Sequence, residues 1–238
     1  LEPEWWDPMT GSTEAAQVKA RNASGTTVAL NLDSYSSRIL TFSSQAASRS
    51  SRARAGSPDT IDISHDWHVT FAATGKSETF NQLRSWTDDN ETRFFSGIAT
   101  YEKKVTIAAQ ALRGKTSVRL DFGEGRPIPQ QPLKAGMQAW LEPPIREAAV
   151  VYINDKLAGS VWCPPFALEI TSLVHAGENS IRLEVANLAI NYMAGHSLPD
   201  YRLLNLRYGA RFEPQDMDKV QPIPAGLFGP IRLLFPKP

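Results

Sequence analysis

Breaking a glycosidic bond takes two carboxyl groups flanking it, one to give a proton and one to act as nucleophile or base. The acidic residues of this 238-residue chain are therefore the first place to look for chemistry. The stretch SWTDDNET, Ser85–Thr92, carries Asp88, Asp89 and Glu91, while Glu124, Glu142 and Glu147 lie in or beside a proline-rich stretch further on. No spacing pairs any two of them, and acidic residues in loops are ordinarily solvated. The Asp88–Glu91 cluster also offers the oxygen ligands calcium prefers, but the EF-hand spacing is missing. No cofactor is expected, and a structural calcium is the one ion these residues would suit.

The remaining reactive residues are sparse. His65 and His68 sit three apart, which on a strand places them on opposite faces. With one cysteine there is neither a disulfide nor a thiolate set for zinc. Cys163, between Trp162 and Pro164, reads as a buried inert thiol. GxGxxG, a Walker lysine loop and GxSxG are all missing. Lys+Arg and Asp+Glu are 25 each, so no basic excess points to nucleic acid. No run approaches the ~20 apolar residues of a membrane-spanning helix. Neither nucleic acid nor membrane is expected as a partner. Trp86, Trp140 and Trp162 stand at strand ends or in loops beside Asn, Asp and Arg. Such rings stack on the apolar face of a sugar, or else plug the ends of a sandwich.

The elements that must position these residues are almost all strands. TTVALNL (26–32) and SRILTF (37–42) alternate and read as two strands completing the sheet of a preceding β-domain, residues 1–43. Residues 44–59, rich in Ser and Arg, read as a linker. From residue 60 to 238 the pattern is that of one domain. Trp67, Val69 and Phe71 share a face, as do Val118, Leu120 and Phe122. Ile98, Tyr101, Val105 and Ile107 form an apolar set whose phase slip predicts a bulge. AAVVYIN (148–154) reads as a central strand turning tightly into LAGSVW, and FALEIT, NSIRLEVAN and GPIRLLF follow. Phe166, Leu168 and Ile170 point inward by period two. The only helical signal is a turn near Thr171–Val174. The fold class expected is all-β, an antiparallel jelly-roll sandwich. Two long stretches, 123–147 and 188–228, break the strand pattern and are where function is expected. The chain opens on LEPEWWDP without a methionine, the expectation being a processed or excised piece.

Several motifs then fall into a known order. Ile153-Asn154-Asp155-Lys156, the segment from Pro165-Phe166 to Ile170-Thr171, and Gly177-Glu178-Asn179 through Asn187 resemble the sugar-binding, galactose-binding-like jelly roll of family 2 and related glycoside hydrolases. SGIATYEKKV and AGLFGPIRL match further pieces of it. The chain resembles more closely the C-terminal region of glycoside hydrolase family 106, the α-L-rhamnosidases. That likeness rests on Trp162–Phe166 (WCPPF), NLAINYMAGHSLPDY and, before the jelly roll, WWDPMTG and VALNLDSYSSRILTFS. Where the family pattern has Trp, Arg and Asp, this chain has Ala189, Tyr192 and His196, and residues 126–146 look like an insertion.

The resemblance implies a carbohydrate-binding or bracing accessory region, whose parent hydrolyses α-L-rhamnosidic bonds with carboxylates on a catalytic barrel outside these residues. The partners it implies are carbohydrate and that barrel, in an extracellular or periplasmic setting. The carbohydrate-contacting residues expected are Trp86, Trp162, Asn191, Tyr192 and His196, with the loop 191–200 as the main contact. Two other classes stay open at this point: a purely structural or protein-interaction sandwich, and a glycosidase active in its own right through Asp88, Asp89 or Glu91.

Overall fold

A computed structural model describes residues 1–8, 11–30, 32, 37–44, 58–114, 117–129, 141–196, 200–209 and 220–236. It divides into two compact units, Leu1–Pro58 with the last residues from Pro236, and Asp59–Phe235. Most of the Ser/Arg-rich stretch, the centre of the predicted insertion with Trp140, and part of the loop after His196 lie outside the described residues.

The first unit holds a three-stranded antiparallel sheet, β2(Thr13–Ala15)-β1(Glu2–Trp6)-β5(Ile39–Ser43), and a hairpin of β3(Val18–Asn22) with β4(Gly25–Val28). Two strands are expected here and five are found among the described residues. Strands β1 to β3 escape the period-two pattern because β1 contains a proline and two acids, and every residue of β3 is exposed. The hairpin turns on Asn22, whose side-chain oxygen accepts from the Ser24 and Gly25 amides at 2.9 and 3.1 Å.

The second unit is an antiparallel sandwich. Its larger sheet runs β15(Lys156–Val161)-β14(Ala148–Ile153)-β17(Gly177–Ala186)-β9(Ile98–Ile107)-β7(Trp67–Phe71)-β8(Lys76–Phe80). Its smaller sheet runs β16(Ala167–Glu169)-β10(Arg119–Asp121)-β19(Arg232–Phe235)-β6(Asp59–Asp62). Two short ladders flank them, β11(Arg126–Pro127) with β12(Leu141–Glu142) and β13(Ile145–Arg146) with β18(Gly226–Leu227). The core lies between the sheets. Trp67, Val69, Phe71, Tyr101, Val151, Ile153, Leu183 and Val185 from the larger sheet join Val118, Leu120, Phe122, Leu233 and Phe235 in one buried cluster. Each such side chain contributes on the order of 1.5–3 kcal/mol by leaving water.

Strand β14 alternates, with Ala149, Val151 and Ile153 inward, and reverses through Asn154-Asp155, both at positive φ (51° and 62°). A two-residue loop with that geometry is the type I′ turn that matches strand twist. The bulge predicted in β9 is not there: β9 and β17 pair from Gly177↔Ile107 to Ala186↔Ile98 without a shift. The inward set begins at Ala99, and Ile98 faces out. The register shift falls instead between Val151 and Tyr152, opposite Gly159. Residues 171–173 form a turn, and the helices are elsewhere: α1(Ala109–Leu112), α2(Ile190–Ala194) and α3(Arg202–Tyr208).

Candidate functional site

Strand register gathers most of the expected site at one end of the larger sheet. Val161 pairs with Ala149, Ala148 with Ala186, and Ala186 with Ile98, while Phe71 pairs with both Ala99 and Lys76. Trp162, Glu147, Asn187, Gly97 and the Phe71–Lys76 turn therefore share that end. At ~4.8 Å per strand, Trp162 and the start of the 187–196 loop stand two strands, roughly 10 Å, apart.

Three of the five expected contact residues are on the surface. The Trp162 side chain is 61% exposed and Tyr192 53%. His196 is exposed as well, and its ring lies on that of Tyr192, centroids 3.7 Å apart and planes 21° apart. The His196 Nδ1 is 2.7 Å from the Tyr192 carbonyl oxygen, which fixes the ring above its own helical turn. The pair offers one flat aromatic face with a polar edge, the geometry that suits the apolar side of a sugar ring.

The other two are interior, which corrects the expectation of direct contact. Trp86 is 1% exposed, edge-on to Phe71 and Phe95 with centroids 5.5 Å away in each case, and its indole N–H donates to the Tyr101 hydroxyl at 2.6 Å. It plugs the core; burial in turn pushes the Tyr101 phenol well above its ordinary pKa. Asn191 is 0% exposed. Its amide nitrogen donates to the Ile223 carbonyl at 2.9 Å and its oxygen accepts the Ile223 amide at 2.8 Å. That side chain clamps α2 to the Ile223 segment through both its donor and its acceptor.

The carboxylates of the Asp88–Glu91 cluster are already engaged. Asp88 closes a capping box with Ser85 on a short 3-10 turn, Trp86–Asp88. Asp89 lies 2.5 Å from the Lys76 ammonium, which Glu91 approaches to 3.1 Å and Glu78 to 3.3 Å. Arg84 bridges Glu78 at 2.8 Å and Asp89 at 3.7 Å. The hydrogen bond from Lys76, then that from the Glu91 amide, hold the Asp89 carboxyl below the usual carboxylate range, and Asp89 raises Lys76. Glycoside hydrolysis needs one protonated and one ionised carboxyl across an open gap; Asp89, Glu91 and Glu78 instead converge on the Lys76 cation. Glu142 pairs with Arg146 at 3.3 Å and Glu124 is exposed. Among the described residues no three His, Cys, Asp or Glu are grouped to hold a metal. The four histidines are dispersed, His65 and His175 each toward a backbone carbonyl and His68 toward Ser77. Cys163 is half-buried, and desolvation pushes its thiol pKa up.

What sequence reasoning missed is the work of the signature asparagines. The Asn179 oxygen accepts from the Asn154 amide at 2.9 Å and the His175 backbone N–H at 3.0 Å, and its nitrogen donates to the His175 and Gly177 carbonyls at 2.8 and 3.0 Å. Asn154 also donates to Leu173 and accepts from Ser180, both at 2.9 Å. Asn187 accepts from Gly97 and donates to Phe95, both at 2.9 Å. These residues tie turns to neighbouring strands, so the motif they form encodes the sandwich itself. An asparagine recurring near strand ends, inside β17 at Asn179 and just beyond β14 and β17 at Asn154 and Asn187, is the available signal.

Fold and comparisons together define a class: the chain is related to the glycoside hydrolases. No family model matches it. Among solved structures, the rhamnosidase from Novosphingobium sp. PP1Y matches 98% of this chain at 25% identity and TM-score 0.67, the match covering 20% of that protein. The beta-D-glucuronidase of Dictyoglomus thermophilum is more distant, at 19% identity over 57% of this chain and 21% of its own, TM-score 0.41. Among curated proteins, "Putative beta-glucuronidase" of Formosa agariphila is 27% identical over 143 residues, 58% of this chain. The chain spans 11% of that relative's length.

Proposed function

We propose that this chain is a non-catalytic accessory region of an α-L-rhamnosidase-like glycoside hydrolase, with its second unit a galactose-binding-like jelly roll that presents Trp162, Tyr192 and His196 to carbohydrate. The observation that carries this reading is the alignment of nearly the whole chain with one fifth of a rhamnosidase. Hydrolysis in the parent would fall to carboxylates on a catalytic barrel outside these residues. The engagement of Asp88, Asp89 and Glu91 in a cap and an ion network supports that division of labour. The test is an assay of the isolated chain on an aryl α-L-rhamnoside. No release above the blank is expected; turnover abolished by Asp89→Asn or Glu91→Gln would make the chain a catalyst and overturn the reading.

A second reading, a brace against the barrel without sugar affinity, is favoured by one observation. Phe94, Ile98, Leu188 and Met193 are exposed at the corner where Gly97, Asn187 and Gly195 meet. Exposed apolar patches of this kind commonly mark protein contacts. Adding the separately produced barrel distinguishes the two: a brace binds it through this corner and gives no heat with sugar.

A further inference from the structure

The 187–196 loop is held more firmly than a surface cover requires. Its first residue, Asn187, is locked to Gly97 and Phe95, and its middle residue, Asn191, to Ile223. Between these clamps lies Ser96, on the approach to β9 and far from the loop in sequence. The Ser96 hydroxyl donates to the Leu188 carbonyl at 2.9 Å and accepts the Tyr192 backbone N–H at 2.9 Å. Two residues earlier, Phe94 lies against Gly195, where any Cβ would stand 2.4 Å from the Phe94 Cγ. The Tyr192 N–H belongs to the first turn of α2, so no i−4 carbonyl within that helix can take it. Ser96 supplies the acceptor, and by its second bond fixes where the helix begins. The ring of Tyr192, and with it the stacked His196, is thereby aimed.

We propose that Ser96 is the positioning residue of the Tyr192–His196 platform, with the Phe94–Gly195 contact as its steric partner. The inference rests on the reading of that platform as a contact surface, but its test does not need a ligand. Amide hydrogen exchange at Tyr192 is measured by NMR on the free chain carrying Ser96→Ala or Ser96→Thr. A lost hydrogen bond of ordinary strength corresponds to roughly threefold to tenfold faster local opening. Ser96→Ala is expected to accelerate Tyr192 exchange by that factor with β17 amides unchanged, and Ser96→Thr, which keeps the hydroxyl, to restore protection. Unchanged Tyr192 exchange in Ser96→Ala overturns the proposal. If Ser96→Ala loosens the whole sandwich, Ser96→Thr decides: rapid exchange at Tyr192 with β17 still protected overturns it as well. Titration with a rhamnose-rich oligosaccharide then separates the two levels. A platform that loosens in Ser96→Ala while the unmodified chain gives no heat sustains the positioning role and removes only the sugar reading.

Discussion

Replacing Asn179 by alanine should cost the second unit much of its margin while leaving its surface chemistry alone. The side chain is 1% exposed and makes four hydrogen bonds, between 2.8 and 3.0 Å, to Asn154, to both the N–H and carbonyl of His175, and to the Gly177 carbonyl. A typical bond contributes about 1 kcal/mol net, and a buried partner left alone costs more. His175 is exposed, so water can reach part of the vacated site. Weighing the four bonds against that rescue gives a loss of about 3 kcal/mol. For a domain of this size each kcal/mol moves the midpoint by roughly 2–4 °C, so thermal unfolding followed by circular dichroism should shift down by roughly 6–12 °C. A cycle with Asn154→Ala should return a coupling of about 1 kcal/mol, because the two amides share a bond. A shift near 1 °C, or strict additivity, would refute the reading of this asparagine as a structural clamp.

Other outcomes follow from the same geometry. Asp89 has a folded pKa below its unfolded one, so its contribution is present above about pH 4 and is lost as pH falls through the folded value. The urea midpoint should therefore drop as pH falls below about 4, and Lys76→Met should make that acid limb shallower while costing about 1 kcal/mol at neutral pH. Gly226→Ala should cost about 2–4 kcal/mol in urea titrations, since φ is 108° and the new Cβ would stand 2.6 Å from the Trp86 indole nitrogen. Cys163, its thiol pKa raised by desolvation, should be alkylated at neutral pH more slowly in the folded chain than in urea.

The sequence made the sandwich legible wherever one face of a strand is buried. Trp67-Val69-Phe71 and Val118-Leu120-Phe122 show this, because period two then dictates which side chains are apolar. The pattern misleads where apolar residues face out. Ile98 is exposed at the start of β9, and counting it as core created a bulge that the ladder does not contain. Strands β1 and β3 were invisible because the first unit is small and leaves much of its surface wet. The platform was half legible. Tyr192 and His196 stand out as departures from a resembling motif, but the burial of Trp86 and Asn191 depends on Gly226, Ile223 and Tyr101, far away in the chain. Side-chain clamps between distant loops leave no periodic trace, and Ser96, flanked by Phe95 and Gly97, gives no local hint of its role.

The account stands most directly on calorimetric titration of the intact chain with rhamnose and rhamnose-rich oligosaccharides. It predicts heat that saturates at one site and is weakened by Trp162→Ala, a residue exposed enough that the variant keeps its fold. Absence of heat up to millimolar sugar, a binding free energy weaker than about −4 kcal/mol, would contradict the carbohydrate-contacting role of the Trp162–Tyr192–His196 rim.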